Sequence, residues 1–463
     1  MESGLAARNG GRIGLAALVA ILLLGLGLRL GEAWDGRAPV YDAKAYAAIA
    51  ANLEAGEGFT VGSQATQPSS NYSPGLPLFV AGLYEVTGGA HERLARVVLA
   101  LIGTLSVLFA YLVGRRLGWA LNRPRSSEVG SAPIWPALAG AAVVAIYPAL
   151  LEYQGMLMSE PLAATLLSGG VLAVLWAWEG SWARWVLPGA LFGALALTRP
   201  EYLGVAVLIA IVVFAREARS DWPLSLTRAA VFLGALVVVI APWTLRNAVA
   251  LDRFVPISTG GGQVLFAGTY LPSDGDPEKV GTEVVSENPD LFQPKDAERL
   301  RLEQILARLA ANRYPRMETD KALSKMGKEQ LWDDVSDEPL EYAGFVATKV
   351  WRIWSHGPRD VMHEPVWEAL HWLLVALGLL GLTILAWRRR WEALLLGTIF
   401  LAITAISALL VASPRRVLVL VPLLASLAAL SIAWASARLV NSGRHSAQNS
   451  PNVPAAPDSL SRP

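Results

Sequence analysis

Cysteine is absent from the 463-residue chain, which excludes disulfides, thiolate metal sites and a cysteine nucleophile. Charge is scarce too: Asp, Glu, Lys and Arg make up 17% of residues, where soluble domains carry about a quarter. Apolar residues fill the gap at 54%, and mean hydropathy is +0.41. Several apolar runs approach the ~20 residues needed to cross a hydrocarbon core, so a polytopic membrane protein is expected. No internal repeat is evident, which argues against an inverted-repeat transporter. Tryptophan, by contrast, is plentiful at 17 residues. Trp34, Trp119, Trp182, Trp243 and Trp391 lie at run ends, as an interfacial belt would place them. The net charge of +1 says little, because membrane proteins sort their charges by side.

Hydropathy predicts an all-α fold of about ten transmembrane helices with a large outer lobe of mixed or mainly helical structure. The first apolar run, 13–30, follows Arg8 and Arg12. It is long for a signal peptide and no clean cleavage site follows, so an uncleaved helix is expected. Further spans are predicted at 93–117, 134–152, 157–178, 184–198, 201–215, 229–245, 366–387, 391–411 and 416–436. The stretch 77–87 is apolar but short, and is expected to lie at the interface. This divides the chain into an N-terminal transmembrane module, 1–246, with a first outer loop at 31–77. An outer soluble lobe, 247–365, C-terminal transmembrane helices, 366–440, and a disordered Ser/Pro/Asn-rich tail, 441–463, complete it. The lobe shows helical periodicity at 295–314 and 342–354. Arginines concentrate in the turns 115–125, 216–228 and 388–390, which places those turns and both termini in the cytoplasm and the lobe outside.

Ionisable residues near a bilayer are costly, so those that persist are functional candidates. On this topology a set of them meets at the outer face. Asp42 and Lys44 lie in the first outer loop, and Asp42 and Tyr46 share one face if a helix forms there. Ser159-Glu160-Pro161 opens one span, and Thr198-Arg199-Pro200-Glu201 is a hairpin turn between two others. Trp243, Arg246 and Asn247 close a span, and Arg415-Arg416 begin the last one against the positive-inside trend. Each has a plainer use when taken singly. Asp42 could cap a helix, Glu160 could complement a helix dipole, and Arg199 and Arg246 could snorkel as anchors. His356, His363 and Glu364 could hold a metal, but solvated surface is the simpler reading. Together, one carboxylate base and several guanidinium groups suit transfer of a sugar from a phosphate-linked donor. The base activates an acceptor hydroxyl, and the cations absorb charge as phosphate leaves.

The chain resembles the polytopic GT-C glycosyltransferases, above all bacterial relatives of the dolichyl-phosphate-mannose–protein mannosyltransferases and of the lipid A aminoarabinose transferase. Matching stretches are Asp42-x-x-x-Tyr46, Tyr72-Ser73-Pro74-Gly75-Leu76-Pro77, Ala95-Arg96, Ser159-Glu160-Pro161, Leu197-Thr198-Arg199-Pro200, Pro242-Trp243-x-x-Arg246-Asn247 and Pro414-Arg415-Arg416. The resemblance implies a polyprenyl-phosphate sugar donor and inverting transfer to a lipid, glycan or protein acceptor at the outer face of the cytoplasmic membrane. It implies Asp42 as catalytic base or metal-assisting carboxylate, Glu160 as a second acid, and Arg199 and Arg415 near the donor phosphate. Lys44, Tyr46, Tyr72, Arg96, Arg246 and Arg416 complete the expected substrate-binding set. Many members carry an acidic pair in the first loop, whereas here Asp42 precedes Ala43. A divalent metal is therefore left as an optional cofactor without assigned ligands. Membrane lipids, and not nucleic acid, are the other expected partners. A lipid-linked oligosaccharide flippase, an oligosaccharide ligase using a lipid diphosphate, and a sensor or assembly protein with a partner-binding lobe are the alternative readings.

Overall fold

The computed structural model describes residues 2–35, 42–61, 68–121, 134–355 and 357–448. Among them the chain is helical throughout, without a strand. A long first helix, α1 (Glu2–Asp35), is followed by the short α2 (Asp42–Glu54) and α3 (Gly75–Thr87). Next come α4 (Glu92–Leu121), α5 (Ile134–Ile146), α6 (Pro148–Gly155), α7 (Ser159–Ala177), α8 (Val186–Thr198), α9 (Glu201–Glu217) and α10 (Trp222–Leu251). The lobe comprises α11 (Gly261–Thr269), α12 (Val280–Glu287), α13 (Asp296–Arg299), α14 (Leu302–Arg313), α15 (Thr319–Asp337) and α16 (Pro339–Ser355). The chain rejoins the bundle through α17 (Pro365–Trp387), α18 (Glu392–Leu409), the single turn α19 (Arg415–Leu418) and α20 (Val421–Gln448).

Seven of the described helices are long and apolar enough to cross a membrane, or eight if α5 and α6 form one bent span. That is fewer than the ten runs counted from hydropathy. The difference lies in α8 and α9, of 13 and 17 residues. At 1.5 Å per residue they reach about 20 and 26 Å, short of a ~30 Å hydrocarbon core. Pro200 sets the end of α8, because it forces the preceding Arg199 into an extended conformation. The two helices form a hairpin, so the sidedness of later segments is the same whether or not they cross fully. The interfacial expectation for 77–87 agrees with α3, whose 13 residues are too few to span.

The span expected at 134–152 is broken. Pro148 has no N–H to donate, so the carbonyl of Val144 loses its helical partner and the chain bends by 43°. Arg29, inside the apolar run of α1, fills the gap. Its Nη2 donates to Val144 O at 3.1 Å, and its Nη1 to Ala145 O at 3.2 Å and Gly25 O at 3.1 Å. A fully buried guanidinium is thus tolerated because it repairs a proline break.

The most enclosed span is α20, which packs along α17, α4, α5 and α7. Gly381 permits the closest approach, since a Cβ there would sit 2.2 Å from the carbonyl oxygen of Leu427. This helix also runs past Asn441 to Gln448, into the stretch expected to be disordered, because no proline stops it between Pro422 and Pro451. Residues 449–463, like Val40, Tyr41 and His356, lie outside the described residues. The lobe has its own core of Phe266, Tyr270, Val284, Ile305, Leu306, Leu323 and Met326, against which Val411 of the bundle packs. Its helical periodicity at 295–314 resolves into α13 and α14, and α10 runs on to Leu251 before the lobe begins.

Replacing Arg29 by Met should leave two buried carbonyls without donors and destabilise the protein by roughly 2–4 kcal/mol. Thermal unfolding in detergent checks this: Arg29→Lys is expected to fall between wild type and Arg29→Met. An unchanged midpoint in Arg29→Met would remove the repair role.

Candidate active site

Four short segments, each shaped by a helix end, supply the site. Asp42 opens α2, where a carboxylate complements the helix dipole. Glu160 lies in the first turn of α7, ahead of Pro161, which that turn accommodates without losing a hydrogen bond. Arg199 and Glu201 flank Pro200 in the α8–α9 hairpin. Arg415 and Arg416 follow Pro414 in α19.

Arg415 joins the first two. Its Nε donates to Glu160 Oε1 at 2.6 Å, and its Nη1 donates to Asp42 Oδ2 at 2.9 Å. The Nη1 of Arg199 lies 3.1 Å from the same Glu160 oxygen, and its Nε donates to Glu201 Oε1 at 2.9 Å. Arg416 Nε stands 3.8 Å from Glu201 Oε1, while its Nη1 donates to the Val411 carbonyl. The result is an alternating row, Asp42–Arg415–Glu160–Arg199–Glu201–Arg416, in which three carboxylates balance three guanidiniums. Balance matters because an unpaired charge here would carry a desolvation penalty of several kcal/mol.

The row has a buried middle and an open end. Glu160 is fully enclosed, whereas the side chain of Asp42 is 37% exposed. The second oxygen of Glu160, Oε2, is buried and has no hydrogen-bond partner. Tyr46 sits one turn along α2 from Asp42 and faces both acids. Burial first, then the charges of Asp42 and Glu160, hold its hydroxyl well above the usual tyrosine range. Tyr72 meets Tyr46 edge-on at 5.9 Å, and burial, Glu303 and Asp42 push its hydroxyl up to about 12. Tyr153, on the arm bent by the proline break, places its ring 5.8 Å from the Arg415 guanidinium. Sequence reasoning missed Tyr153, and quoted Glu201 only as part of a turn. The sole signal for either was an aromatic or acidic residue beside a proline-marked span end.

Other residues expected at the site lie elsewhere. Lys44 is exposed, two residues from Asp42 and so on the opposite side of α2. Arg96 is buried in α4, pairs with Glu92 at 2.9 Å, and is not a member of the row. Arg246 is a clamp: it donates to Ser69 O at 2.9 Å and Phe59 O at 3.3 Å, and its guanidinium stacks against Phe59 and Trp243. Trp243 and Asn247 likewise hold the carbonyl of Ile257, at 2.6 and 3.0 Å. Together they fasten the loop between α2 and α3 and the start of the lobe to the end of α10. No group of three or more His, Asp or Glu suited to a metal occurs among the described residues. A dication would also find each carboxylate of the row already neutralised by arginine, so the donor set does not fit one.

Beside the row runs an apolar groove of about 890 Å³ between α3, α4, α7 and α8. Leu78, Phe79, Ile102, Leu162, Leu166 and Leu197 line it, and one end is framed by Gly75 and Thr198, the neighbour of Arg199. Gly75 has no room for a side chain, since a Cβ would fall 2.5 Å from Thr198 Oγ1 and 2.7 Å from its backbone nitrogen. From the lobe side, buried Lys349 donates to Gly268 O at 2.6 Å. Burial, and after it the charge of Arg416, push its ammonium down to about 8.

The unfolded lysine titrates near ~10.4, so between pH 8 and 10.4 the unfolded chain binds the extra proton and stability rises with pH. Below pH 8 the buried ammonium therefore opposes folding, and above it the opposition is relieved. The unfolding midpoint of wild type should rise relative to Lys349→Met from pH 8 to 10, and parallel pH profiles would contradict this. In the row, Glu160→Gln should cost about 3 kcal/mol, because two enclosed guanidiniums lose their shared anion. Asp42→Asn, at the exposed end, should cost under ~1 kcal/mol. Equal losses in urea titration would mean that the buried and open ends do not differ.

No protein-family profile matches the chain, and no curated protein does. Solved structures do match. The archaeal oligosaccharyltransferase AglB from Archaeoglobus fulgidus, in complex with an inhibitory peptide and a dolichol-phosphate, is similar at 17% identity and a TM-score of 0.55. That match covers 97% of this chain and 52% of the other. An Archaeoglobus fulgidus oligosaccharyltransferase in complex with zinc and sulfate is similar at 15% identity and 0.53, over 93% of this chain and 50% of that one. ArnT from Cupriavidus metallidurans, bound to undecaprenyl phosphate, aligns at 15% identity and 0.39, over 95% and 81%. The chain thus spans about half the length of the oligosaccharyltransferases it matches. It has the fold of the polytopic GT-C glycosyltransferases.

Proposed function

We propose that the protein is a membrane glycosyltransferase that moves a sugar from a polyprenyl-phosphate donor to an envelope acceptor, with inversion. The acceptor is a protein, lipid or glycan at the outer face of the cytoplasmic membrane, with both termini of the chain cytoplasmic. The observation that carries this reading is the pairing of Asp42 and Glu160 through one guanidinium, Arg415. Residues more than a hundred positions apart meet where helices end.

The chemistry follows from exposure. Asp42 is the acid that a substrate can reach, so it takes the proton of the acceptor hydroxyl. The freed oxygen attacks the anomeric carbon from the face opposite the phosphate. The bond from that carbon to the phosphate oxygen breaks, and polyprenyl phosphate departs with its electrons. Glu160, fixed between Arg415 and Arg199, holds both guanidiniums in place and contributes as the second acid of the site. Arg416 is the least engaged of the three arginines, with its Nε short of hydrogen-bonding distance to any acceptor. Its incompletely satisfied guanidinium suits the departing phosphate, with Arg199 and Arg415 behind it. The apolar groove ending at Thr198 is of a kind that accommodates an isoprenoid tail beside those cations. A dolichol-phosphate in the structurally similar oligosaccharyltransferase agrees with such a ligand. That likeness also favours a second reading, an oligosaccharide ligase drawing on a lipid diphosphate. A flippase fits less well, because the charges cluster at helix ends and not at midplane.

Asp42→Asn should reduce transfer by about 10²–10⁴-fold while binding donor near normally, as loss of a general base does. Turnover close to wild type would remove that role. Membranes incubated with a panel of polyprenyl-phosphate and polyprenyl-diphosphate sugars decide between transferase and ligase by which donor is consumed.

A further inference from the structure

A second cavity, of about 390 Å³, lies at the other end of the bundle. The helix α7 measures the separation: Glu160 is in its first turn and Trp178 follows its last, about 27 Å along the axis at 1.5 Å per residue. Arg116, Arg216, Arg389 and Arg390 line this cavity, against only Glu179 and Glu392. Unlike the balanced row at the first end, the lining carries two more cations than anions.

The excess is held in place. The Arg216 guanidinium lies 3.9 Å from the ring centre of Trp178 and 4.3 Å from that of Trp391. The two indoles are 4.7 Å apart, so guanidinium and rings form a compact triangle that fixes the cation in place. It has no carboxylate partner among the described residues. Arg390 reaches Glu392 at 3.4 Å, but its own Nε is buried and unpartnered. Arg389 is exposed, has no partner among the described residues, and sits in left-handed backbone at φ 52°. The lining thus presents fixed donors from the end of α9 and from the α17–α18 turn, without acceptors to match.

The depth of the cavity narrows the ligand. Its tryptophans stand at the ends of α7 and α18, where indoles mark the interface and lipid phosphates reside. We propose that this cavity binds the phosphate of an anionic phospholipid from the leaflet at that end. The phosphate accepts from Arg216, Arg389 and Arg390, and ties α9 and the α17–α18 turn to α4 and α7. A zwitterionic headgroup brings its own cation and would meet four arginines with no net charge to offer.

The test uses the full chain, delipidated in a neutral detergent and titrated with phosphatidylglycerol, phosphatidylcholine or inorganic phosphate. Bound lipid is counted by native mass spectrometry and the unfolding midpoint is followed in parallel. Phosphatidylglycerol should bind and raise the midpoint, and neither of the other two should match it at equal concentration. Arg216→Gln and Arg389→Gln should each weaken phosphatidylglycerol binding about tenfold, the scale of one lost charge-assisted contact. Arg313→Gln, on the surface of the lobe, should leave it unchanged. Arg389 is exposed and its side chain makes no hydrogen bond or ion pair among the described residues, so its variant stays informative if Arg216→Gln misfolds. Equal protection by phosphatidylcholine would overturn the proposal, as would inorganic phosphate equalling the lipid, or wild-type lipid affinity in Arg389→Gln. The readout involves no sugar transfer, so it stands or falls apart from the proposed activity.

Discussion

The guanidinium of Arg415 is the constraint on which the rest of the structure depends. It holds the Asp42 carboxylate of α2 and the Glu160 carboxylate of α7 from a turn that begins the last span. No single pair in the row would be stable alone in so dry a setting, because burying each ion costs more than one partner returns. Alternation answers this. Glu160 has two guanidiniums, Arg199 has two carboxylates, and only Asp42 at the open end relies on one partner and on water. The acid left least committed is the acid a substrate would meet first.

Such a row needs rigid mountings, and the chain supplies them at its proline breaks. Pro161, Pro200 and Pro414 each stand beside a member of the row, where a helix begins or stops. Pro148 does leave one carbonyl unmet inside the bundle, and Arg29 satisfies it from α1. The bend then carries Tyr153 under Arg415. Arg246 serves the loop in the same manner, donating to carbonyls of Ser69 and Phe59 across a wide sequence gap. Both arginines spend donors on backbone carbonyls, which fixes their orientation.

This is also where sequence reasoning stops. Apolar runs revealed the bundle, and the motifs around Glu160, Arg199 and Arg415 revealed the row, because polar residues at span ends stand out against a lipid-facing background. Arg96, Arg246 and Arg416 carry the same signature, an arginine at the end of a run. Only the folded chain tells them apart: Arg96 pairs within its helix, Arg246 is used up on carbonyls, and Arg416 keeps an unpaired edge. Lys44 stands apart from the row for a simpler reason, since helical periodicity turns it away from Asp42. Hydropathy counts two more runs than the length criterion does, because it registers the apolar content of α8 and α9 but not their lengths, which Pro200 sets. Arg29 was invisible because a single charge in a long apolar stretch reads as a snorkelling end residue.

The two ends of the bundle then differ in kind. At one end three acids and three arginines cancel, so a ligand bearing negative charge gains there by displacing a carboxylate from its guanidinium or by using Arg416. At the other end the arginines exceed the acids and stand in a cavity floored by indoles. A neutral row favours exchange, because a leaving anion is readily replaced by the protein's own carboxylates. A cationic cavity favours retention, because its two carboxylates are too few to satisfy four arginines once the anion leaves. On the proposed readings the same side chain, arginine, serves turnover at one surface and anchorage at the other, and the number of nearby acids decides which.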